Sequence, residues 1–267
     1  MTLTGARLRQ EFAALGVRRG TVLLVHCSLR RIGRVEGGAA ALCEALLDLL
    51  GPQGTLVVPA QTRSKSTTSR ESRTAVAGLS ARQRERYFRR LRGFDARRSR
   101  TEDMGALAEF VRLDPRSHRS AHPTTSFAAI GRDAAALTAS HPLDQVLGER
   151  SPLGWMYRAG ASVLLIGVEY AACTAFHLGE HLSVSPDRSY WFKVGTTWRY
   201  VPGAREYDDT DFTELGRDFE HAHRQQIAAG RVGEADCRLF PVGSAADFAE
   251  KRLPGLRLSS RLMQPEP

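Results

Sequence analysis

A strand–loop–helix–turn–strand unit near the N-terminus constrains the fold of this 267-residue chain more than any other feature. The apolar run TVLLVHCSL at residues 21–29 predicts a buried strand, and TLVVPA at residues 55–60 predicts a second one. A glycine-containing loop between them leads into AAALCEALLDLL at residues 39–50, a strong helix pattern that GPQG ends. Two apolar strands joined through a helix need covering on both faces, so the unit predicts a domain of layered sheet and helices.

Patterns in the rest of the chain add further elements. Helical periodicity predicts helices at residues 3–15, 81–92, 104–113, 133–140 and 210–229, and a short helix within 147–160. The run SVLLIGV at residues 162–168 predicts a buried strand, and residues 119–131 predict a turn followed by a strand. The alternating segments SYWFKVG and TTWRYVP predict an antiparallel hairpin around Gly195. Thr210 or Asp211 is expected to cap the last helix, and Gly230 to end it.

The composition is that of an ordinary globular protein, with 42% hydrophobic and 25% charged residues. No apolar run reaches the roughly 18 residues of a membrane span, and the N-terminus lacks the apolar region of a signal peptide. Four dispersed cysteines form no CxxC pair, which argues against a zinc ribbon and favours a reducing cytoplasm. We therefore expect a cytoplasmic protein without a membrane partner.

The net charge of +9 comes from one segment. Residues 63–100 hold 13 Lys/Arg against three Asp/Glu, and we expect residues 61–100 to form a basic surface excursion. Acidic residues dominate residues 206–220 instead, so the two segments suit an enzyme with two differently charged substrates, although two solvated faces explain them equally well. The arginine-rich segment matches no nucleic-acid-binding motif, so no nucleic-acid partner is predicted.

The stretch TAFHLGE at residues 174–180 is the strongest catalytic candidate. It follows a predicted buried strand, and the strand ends of open sheets commonly carry ligand sites. On a helical turn His177 and Glu180 would share one face, so His177 is a candidate general base.

Three other interpretations of this region stay open. Cys173 could be a thiol nucleophile, although a free cysteine is more often a small buried apolar residue. The run HLGEH, with His177, Glu180 and His181, matches an inverted zincin pattern and would then belong to a zinc hydrolase. Gly179 within that helix and the need for a third protein ligand weaken the zinc interpretation. A binding module without turnover is the third alternative.

The segment HCSL at residues 26–29 closes the first predicted strand. Neighbouring strand side chains point to opposite faces, so His26 and Cys27 are not expected to form a catalytic pair. Ser28 and the following backbone N–H groups could bind an anion, although a polar strand end is the simpler interpretation.

Several segments, taken in order, resemble the aminoglycoside 3-N-acetyltransferase family. They are VHCSLRRIGRVEGGAAALCEALLDLLGPQGTLVVP, RSAHPTTSFAAIG, LGERSPLGWMYRAGASVLLIGV with TAFHLGEH, and DDTDFTELG. Together they cover residues 3 to about 240. Four segments in the same order are far more specific than any one motif, and they raise His177 to the leading catalytic candidate.

The resemblance implies acetyl transfer from acetyl-CoA to an amine, without a metal, and a small-molecule amine acceptor. It implies His177 as general base, oriented by Asp211 or Glu180, and acidic groups that hold a polycationic acceptor. The acceptor-binding candidates are Glu180, Asp208, Asp209 and Asp211. The candidates for the coenzyme A site are His26, Ser28, Leu29, Arg30, Gly33, Val35, Arg119, Ser120, Ser151, Pro152 and Thr174.

With this resemblance we expect an α/β (α+β) fold in one acyltransferase domain spanning residues 1–267, with a central mixed, largely antiparallel sheet flanked by helices. A homodimer is compatible with the sequence. The acceptor is an aminoglycoside amine or, alternatively, another amine-bearing metabolite of a biosynthetic pathway.

Three departures from the family pattern bear on these expectations. Cys27 replaces a small residue, Gly179 stands where alanine is usual, and residues 61–100 are unusually rich in arginine. A basic acceptor wall would repel a polycation, so the substrate is less certain than the reaction.

Overall fold

The computed structural model describes residues 2–183, 186–205 and 207–262. The strands are β1 Val22–Cys27, β2 Thr55–Pro59, β3 His118–Arg119, β4 Phe127–Gly131, β5 Ser162–Ile166, β6 Asp187–Val194, β7 Thr197–Arg205, β8 Ala228–Val232 and β9 Ala235–Pro241. The helices are α1 Gly5–Leu15, α2 Leu29–Ile32, α3 Gly38–Leu50, α4 Arg70–Ala75, α5 Ala81–Arg90, α6 Gly105–Leu113, α7 Ala134–Thr138, α8 Pro152–Arg158, α9 Phe176–Ser183, α10 Phe212–Ala222 and α11 Val242–Leu262. Single turns of 3-10 helix occupy Arg63–Lys65, Tyr170–Ala172 and Arg224–Gln226.

The central sheet has seven strands in the order β3-β4-β2-β1-β5-β9-β8. Strand β1 pairs in parallel with β2 and β5 at the centre. The outer pairings, β3–β4, β2–β4, β5–β9 and β8–β9, are all antiparallel. The expected mixed, largely antiparallel sheet flanked by helices is therefore confirmed.

The centre of the sheet is buried on both faces, which explains its continuous apolar runs. Leu23 and Val25 of β1 join the core beneath α1, α3 and α6. Val22 and Leu24 join the opposite core, which is closed by α7 to α11. By this alternation His26 lies on the same face as Val22 and Leu24, whereas Cys27 packs against the core beneath α1, α3 and α6. The expected opposite orientation of the two side chains is therefore confirmed.

Strands β6 and β7 form the predicted antiparallel hairpin as a separate two-stranded sheet. Gly195 lies in its turn with a positive φ of 57°. The basic excursion packs on this hairpin through short backbone pairings of Ser66 with Phe192 and of Phe94 with Val194. The helix predicted at residues 81–92 is present as α5 and begins with a capping box between Ser80 and Gln83.

The C-terminal quarter differs from the sequence prediction. The helix predicted through Ala229 ends at Ala222, and Ala228 instead begins β8, which pairs with β9 at the edge of the sheet. The alanine-rich run has helical propensity, but the available sheet edge outweighs that weak preference. Helix α11 was not predicted, and it contains Pro254, which a sequence pattern normally assigns to a helix boundary. None of the helices in the described ranges combines the length and apolar character needed to cross a membrane.

Candidate active site

His177 occupies the second position of α9, directly after the turn that leaves β5. The backbone N–H of His177 donates to the carbonyl of Thr174, and this bond closes the first turn of the helix at 3.1 Å. The side chain is 14% exposed, so it is enclosed but open to a small molecule. The expected position beyond the C-terminal end of a central strand is confirmed.

His177 and Glu180 form a hydrogen-bonded pair. The distance from His177 Nδ1 to Glu180 Oε2 is 2.6 Å, and the two residues share one helical face at the i,i+3 spacing. Glu180 is fully buried. Since this bond occupies Nδ1, Nε2 is the ring nitrogen that remains to exchange a proton with a bound substrate.

The second carboxylate oxygen of Glu180 is held from two sides. Glu180 Oε1 accepts the backbone N–H of Asp208 at 2.8 Å and the Arg257 guanidinium at 2.7 Å. These hydrogen bonds offset the free-energy cost of burying the carboxylate of Glu180. Arg257 also donates to Asp211 Oδ2 at 3.2 Å, so Asp211 contacts Arg257 whereas Glu180 contacts His177 directly.

Aromatic rings fix the plane of the imidazole. The ring of Phe212 lies 4.6 Å from that of His177, centroid to centroid, and Tyr207 meets it edge-on at 5.4 Å. The Tyr207 hydroxyl contacts His181 Nδ1 at 2.7 Å. These contacts leave the His177 ring little freedom to turn away from Glu180.

Two cavities meet at His177. The larger, of about 860 Å³, lies towards α4, α11 and the β6–β7 hairpin, and the smaller, of about 500 Å³, lies towards the end of β1. Both are lined by Gln61, Arg63, His177 and Asp209. A base at such a junction can reach two different molecules, one in each cavity.

The larger cavity is lined by two charged groups. We call the set Glu180, Asp208, Asp209 and Asp211 the carboxylate wall and the set Arg63, Arg70, Arg73 and Arg188 the arginine wall. Glu71 and Arg257 also line this cavity, and Arg70 lies 3.6 Å from Asp209, so the two sets meet. Burial alone would raise the pKa of Asp208, but hydrogen bonds from Thr210 and the charge of Arg257 lower it, which keeps this carboxylate charged. The sequence-predicted acceptor residues therefore lie together, whereas Glu206 of the same acidic stretch lies outside the described residues.

The smaller cavity contains part of the predicted coenzyme A set. His26, Ser28, Leu29, Arg30 and Thr174 all line it. Burial, and to a smaller extent the nearby His177, lower the pKa of His26 to about 3, so His26 is neutral near pH 7. Its Nε2 has no hydrogen-bond partner within the described part of the chain.

The other predicted coenzyme A residues do not line either cavity. Arg119 is turned inwards and donates to the carbonyls of Ala60 and Ser99 at 2.6 and 2.5 Å. Burial lowers the pKa of Arg119 to about 10. Ser120 hydrogen-bonds His141, a further buried contact.

The remaining members of the set take part in helix ends and a backbone bridge. Ser151 caps α8 by accepting the Leu153 N–H at 3.1 Å, and Pro152 is the first residue of that helix. Gly33 ends α2 with a positive φ of 92°, and Val35 pairs with Leu3 in a short backbone bridge. These four residues therefore have backbone and capping roles in the described structure.

The surroundings of Cys173 and of the two histidines do not suit the thiol-nucleophile and zinc-hydrolase alternatives. Cys173 is fully buried, and burial raises the pKa of its thiol to about 12, which disfavours the nucleophilic thiolate. His177 faces Glu180, whereas His181 faces Tyr207, so the two histidines of the zincin-like pattern have different partners. In the described ranges, no group of three or more His, Cys, Asp or Glu side chains is arranged to hold a metal ion.

Sequence reasoning missed four residues that shape the site: Gln61, Arg63, Tyr207 and Arg257. Gln61 and Arg63 follow β2, and their position just after the C-terminal end of a predicted strand could have indicated a ligand site. Arg257 lies on α11, 77 positions after the glutamate that it contacts, and no local pattern indicates that contact.

Gly179, the departure noted in the sequence, has a packing reason. A Cβ atom at this position would lie 2.2 Å from the carbonyl oxygen of Ala246 and 2.7 Å from the Cβ of Ala249. Glycine therefore permits α9 and α11 to approach closely, and this approach brings Arg257 to Glu180.

Comparison with known proteins gives consistent matches over nearly the whole chain. A family model described as aminoglycoside 3-N-acetyltransferase matches residues 24–254. The SPbeta prophage-derived aminoglycoside N(3')-acetyltransferase-like protein YokD of Bacillus subtilis is 34% identical to this chain, over 93% of this chain and 91% of the relative. The crystal structure of YokD superposes with a TM-score of 0.85 at 31% identity and covers 94% of this chain and 98% of that chain.

Two further relatives carry enzyme names. Aminoglycoside N(3)-acetyltransferase III of Pseudomonas aeruginosa is 32% identical over 92% of each chain. The structure of AAC-IIIb as a binary complex with CoASH superposes with a TM-score of 0.78 at 29% identity and covers 100% of each chain.

Proposed function

The chain belongs to the aminoglycoside 3-N-acetyltransferase family and is an acyltransferase, and from this premise we propose that it transfers an acetyl group from acetyl-CoA directly to an amine, with His177 as general base. The observation that carries the proposal is the position of the His177–Glu180 pair at the junction of two cavities. Each cavity then holds one substrate of a ternary complex.

The proposed step uses the free nitrogen of His177. The amine reacts in its neutral form, because an ammonium group has no lone pair, and Nε2 accepts the proton that the nitrogen loses as it attacks the thioester carbonyl. A C–N bond forms, the C–S bond breaks, and the proton on His177 passes to the departing coenzyme A sulfur. Glu180 holds the Nδ1–H tautomer and stabilises the imidazolium, as a carboxylate partner does in a catalytic triad.

The oxyanion of the tetrahedral intermediate needs donors in the smaller cavity. The backbone N–H of Ser28 already donates to the carbonyl of Ile166 at 2.9 Å, so Leu29 and Arg30 supply the candidate N–H groups. The side chain of Arg30 is exposed beside the same cavity and suits a phosphate of coenzyme A, with Arg31 next to it in sequence. We assign His26, Ser28, Leu29, Arg30 and Thr174 to the thioester side.

We assign the larger cavity to the acceptor. The names of the family members point first to an aminoglycoside and to its N(3) position, for which the resemblance implies the 3-amino group of 2-deoxystreptamine, with the carboxylate wall holding the amine. The second candidate is another amine-bearing metabolite, and the arginine wall is the observation that favours it. The reaction as written needs no metal ion. Four free cysteines favour a reducing compartment, and we place the enzyme in the cytoplasm.

The test is release of the coenzyme A thiol from acetyl-CoA, followed with a thiol reagent across a panel of amines that includes 2-deoxystreptamine aminoglycosides. We expect turnover that His177→Ala abolishes while acetyl-CoA still binds. Binding of coenzyme A without turnover of any amine would instead support a binding module. Activity that a chelator removes and zinc restores would support the hydrolase, and a trapped acetyl-Cys173 enzyme would contradict direct transfer.

A further inference from the structure

A stacked pair of buried histidines contacts residues that line the larger cavity. The rings of His122 and His141 lie 4.6 Å apart, centroid to centroid, with 30° between their planes. Burial, and next the neighbouring His141, hold the pKa of His122 well below its ordinary value, and burial lowers the pKa of His141 to about 4. Both rings are therefore neutral near pH 7, and each has one donor and one acceptor nitrogen.

His122 fixes the turn that carries Thr125. His122 Nδ1 accepts the backbone N–H groups of Thr124 and Thr125 at 3.3 and 3.2 Å. The ring proton therefore lies on Nε2, which donates to the carbonyl of Leu143 at 3.3 Å. The ring of Phe192 on β6 meets His122 edge-on at 5.1 Å. His122 thus ties the turn at residues 122–125 to the loop at residues 141–147.

His141 and Thr125 donate to one carbonyl group. His141 Nε2 lies 3.0 Å from the carbonyl oxygen of Val146, and the Thr125 hydroxyl lies 2.5 Å from the same oxygen. His141 Nδ1 accepts the Ser120 hydroxyl at 3.0 Å, which leaves the ring proton on Nε2. Two donors occupy both lone pairs of a carbonyl oxygen. The orientation of the peptide group between Val146 and Leu147 is therefore fixed from its carbonyl side.

The N–H of the same peptide group reaches the His177–Glu180 pair through Tyr207. Leu147 donates its backbone N–H to the Tyr207 hydroxyl at 3.1 Å. The ring of Tyr207 meets that of His177 edge-on at 5.4 Å. The next residue in the chain, Asp208, donates its backbone N–H to Glu180 Oε1 at 2.8 Å. The segment that Leu147 anchors therefore contacts both the imidazole and the carboxylate.

We propose, on the basis of the acetyl transfer proposed above, that His122 and His141 are positioning residues of the reaction. The histidine pair fixes the Val146–Leu147 peptide, this peptide fixes Tyr207, and Tyr207 keeps the proposed base in the geometry needed for proton transfer. Neither histidine is among the described residues that line the two cavities, so both act through the groups that they hold and not on a substrate. The hydrogen bonds, and not the volume of the rings, carry this role.

A double-mutant cycle tests the proposal. His141→Phe keeps an aromatic ring and removes both hydrogen bonds, and Tyr207→Phe removes the hydroxyl that accepts the Leu147 N–H. We expect His141→Phe to lower kcat by about tenfold in the wild-type background and by less than about twofold in the Tyr207→Phe background, because residues that act through one another are not additive. The KM for acetyl-CoA should stay unchanged. Equal losses in the two backgrounds would overturn the proposal.

Three further variants show whether the hydrogen bond is the cause. His141→Gln keeps an amide donor for the Val146 carbonyl and should retain most of the activity that His141→Phe loses. Thr125→Val removes the second donor to that carbonyl and tests the same peptide if His141→Phe does not fold; an unchanged kcat in Thr125→Val would contradict the proposal. His223→Phe is the matched control, because His223 stacks on Phe219 at 4.9 Å and lines neither cavity. A loss in His223→Phe as large as that in His141→Phe would also contradict it.

Proton NMR separates positioning from the transfer reaction and needs no turnover. The Nδ1–H of His177, in its 2.6 Å hydrogen bond to Glu180, is expected to give a low-field signal that His177→Ala removes. We expect His141→Phe to shift this signal and to leave the far-ultraviolet circular dichroism unchanged. A shifted signal in an enzyme that acetylates no amine would support the positioning role and contradict the reaction. Acetylation together with an unshifted signal in His141→Phe would support the reaction and contradict the positioning role.

Discussion

The two cavities that meet at His177 are built in different ways. The smaller one is formed largely by residues that directly follow β1, β2 and β5, strands that are adjacent in the sheet. The larger one is assembled from α4, the β6–β7 hairpin, the start of α10 and the far end of α11. The smaller cavity is therefore a product of the sheet itself, whereas the larger one depends on how distant segments pack around it.

This difference indicates where the chain can change without losing its chemistry. Residues at adjacent strand ends keep their mutual geometry because the sheet fixes it. Segments such as Arg70–Ala75 and the hairpin contribute side chains from outside the central sheet, so their charges can vary while the His177–Glu180 pair stays in place. Substrate choice is expected to follow the larger cavity, and thioester chemistry the smaller one.

The largest expected effect is loss of the group that both cavities share. We expect His177→Ala to lower kcat by about a thousandfold, because a positioned general base contributes on the order of 10²- to 10⁴-fold. Steady-state thiol release measures it, with calorimetry to show that acetyl-CoA still binds. Cys173→Ala is the control and should keep most of the activity; equal losses in the two variants would contradict direct transfer.

Glu180→Gln tests which carboxylate orients His177. We expect kcat to fall by about a hundredfold, because the amide cannot stabilise the imidazolium. Asp211→Asn, which alters the other carboxylate on Arg257, should change kcat by less than about threefold, since Asp211 contacts Arg257 and not His177. The reverse ranking would make Asp211 the orienting residue.

Gly179→Ala tests whether the larger cavity depends on the contact between α9 and α11. The added methyl group would overlap the backbone of α11, and we expect the free energy of unfolding to fall by about 2 kcal/mol. Urea unfolding measures the change. Gly5→Ala in α1 is the control, because its Cβ would meet nothing closer than 3.8 Å, and a stability gain of up to about 1 kcal/mol is expected there. An unchanged free energy of unfolding in Gly179→Ala would show that α9 and α11 can move apart at little cost in stability.

The smallest effects are expected from variants that change the KM for only one of the two substrates. Arg30→Gln should raise the KM for acetyl-CoA by about tenfold at low salt, less at high salt, and leave the acceptor KM unchanged, because an exposed charge–phosphate contact is screened by ions. Asp208→Asn should do the converse. Bisubstrate kinetics at two ionic strengths measure both constants, and a variant that shifts both would contradict the assignment of one substrate to each cavity.

Local sequence patterns were sufficient to predict features that lie within a single helix or strand. The apolar runs of β1, β2 and β5 could be predicted because a strand buried on both faces is almost continuously apolar. The pairing of His177 with Glu180 was predictable because an i,i+3 spacing on a helix places two side chains on one face. The order of four motifs then identified the family, and with it the reaction class.

Tertiary packing decided what no local pattern carries. Helix α11 places Arg257 between Glu180 and Asp211, and of these two carboxylates Glu180 is the one that contacts His177. Arg119, predicted from its charge to bind coenzyme A, is turned inwards because the carbonyls of Ala60 and Ser99 accept its donors. The sheet edge, and not the alanine-rich sequence, made Ala228–Val232 a strand.

The sequence by itself therefore determined the central strands, the helix that carries His177 and Glu180, and membership of an acetyltransferase family. The tertiary structure decided which carboxylate contacts His177, which arginines line the larger cavity and which are turned inwards. The physical reason is range: periodicity and spacing act within one helix or strand, whereas the charges around a cavity depend on contacts between residues as far apart as Glu180 and Arg257.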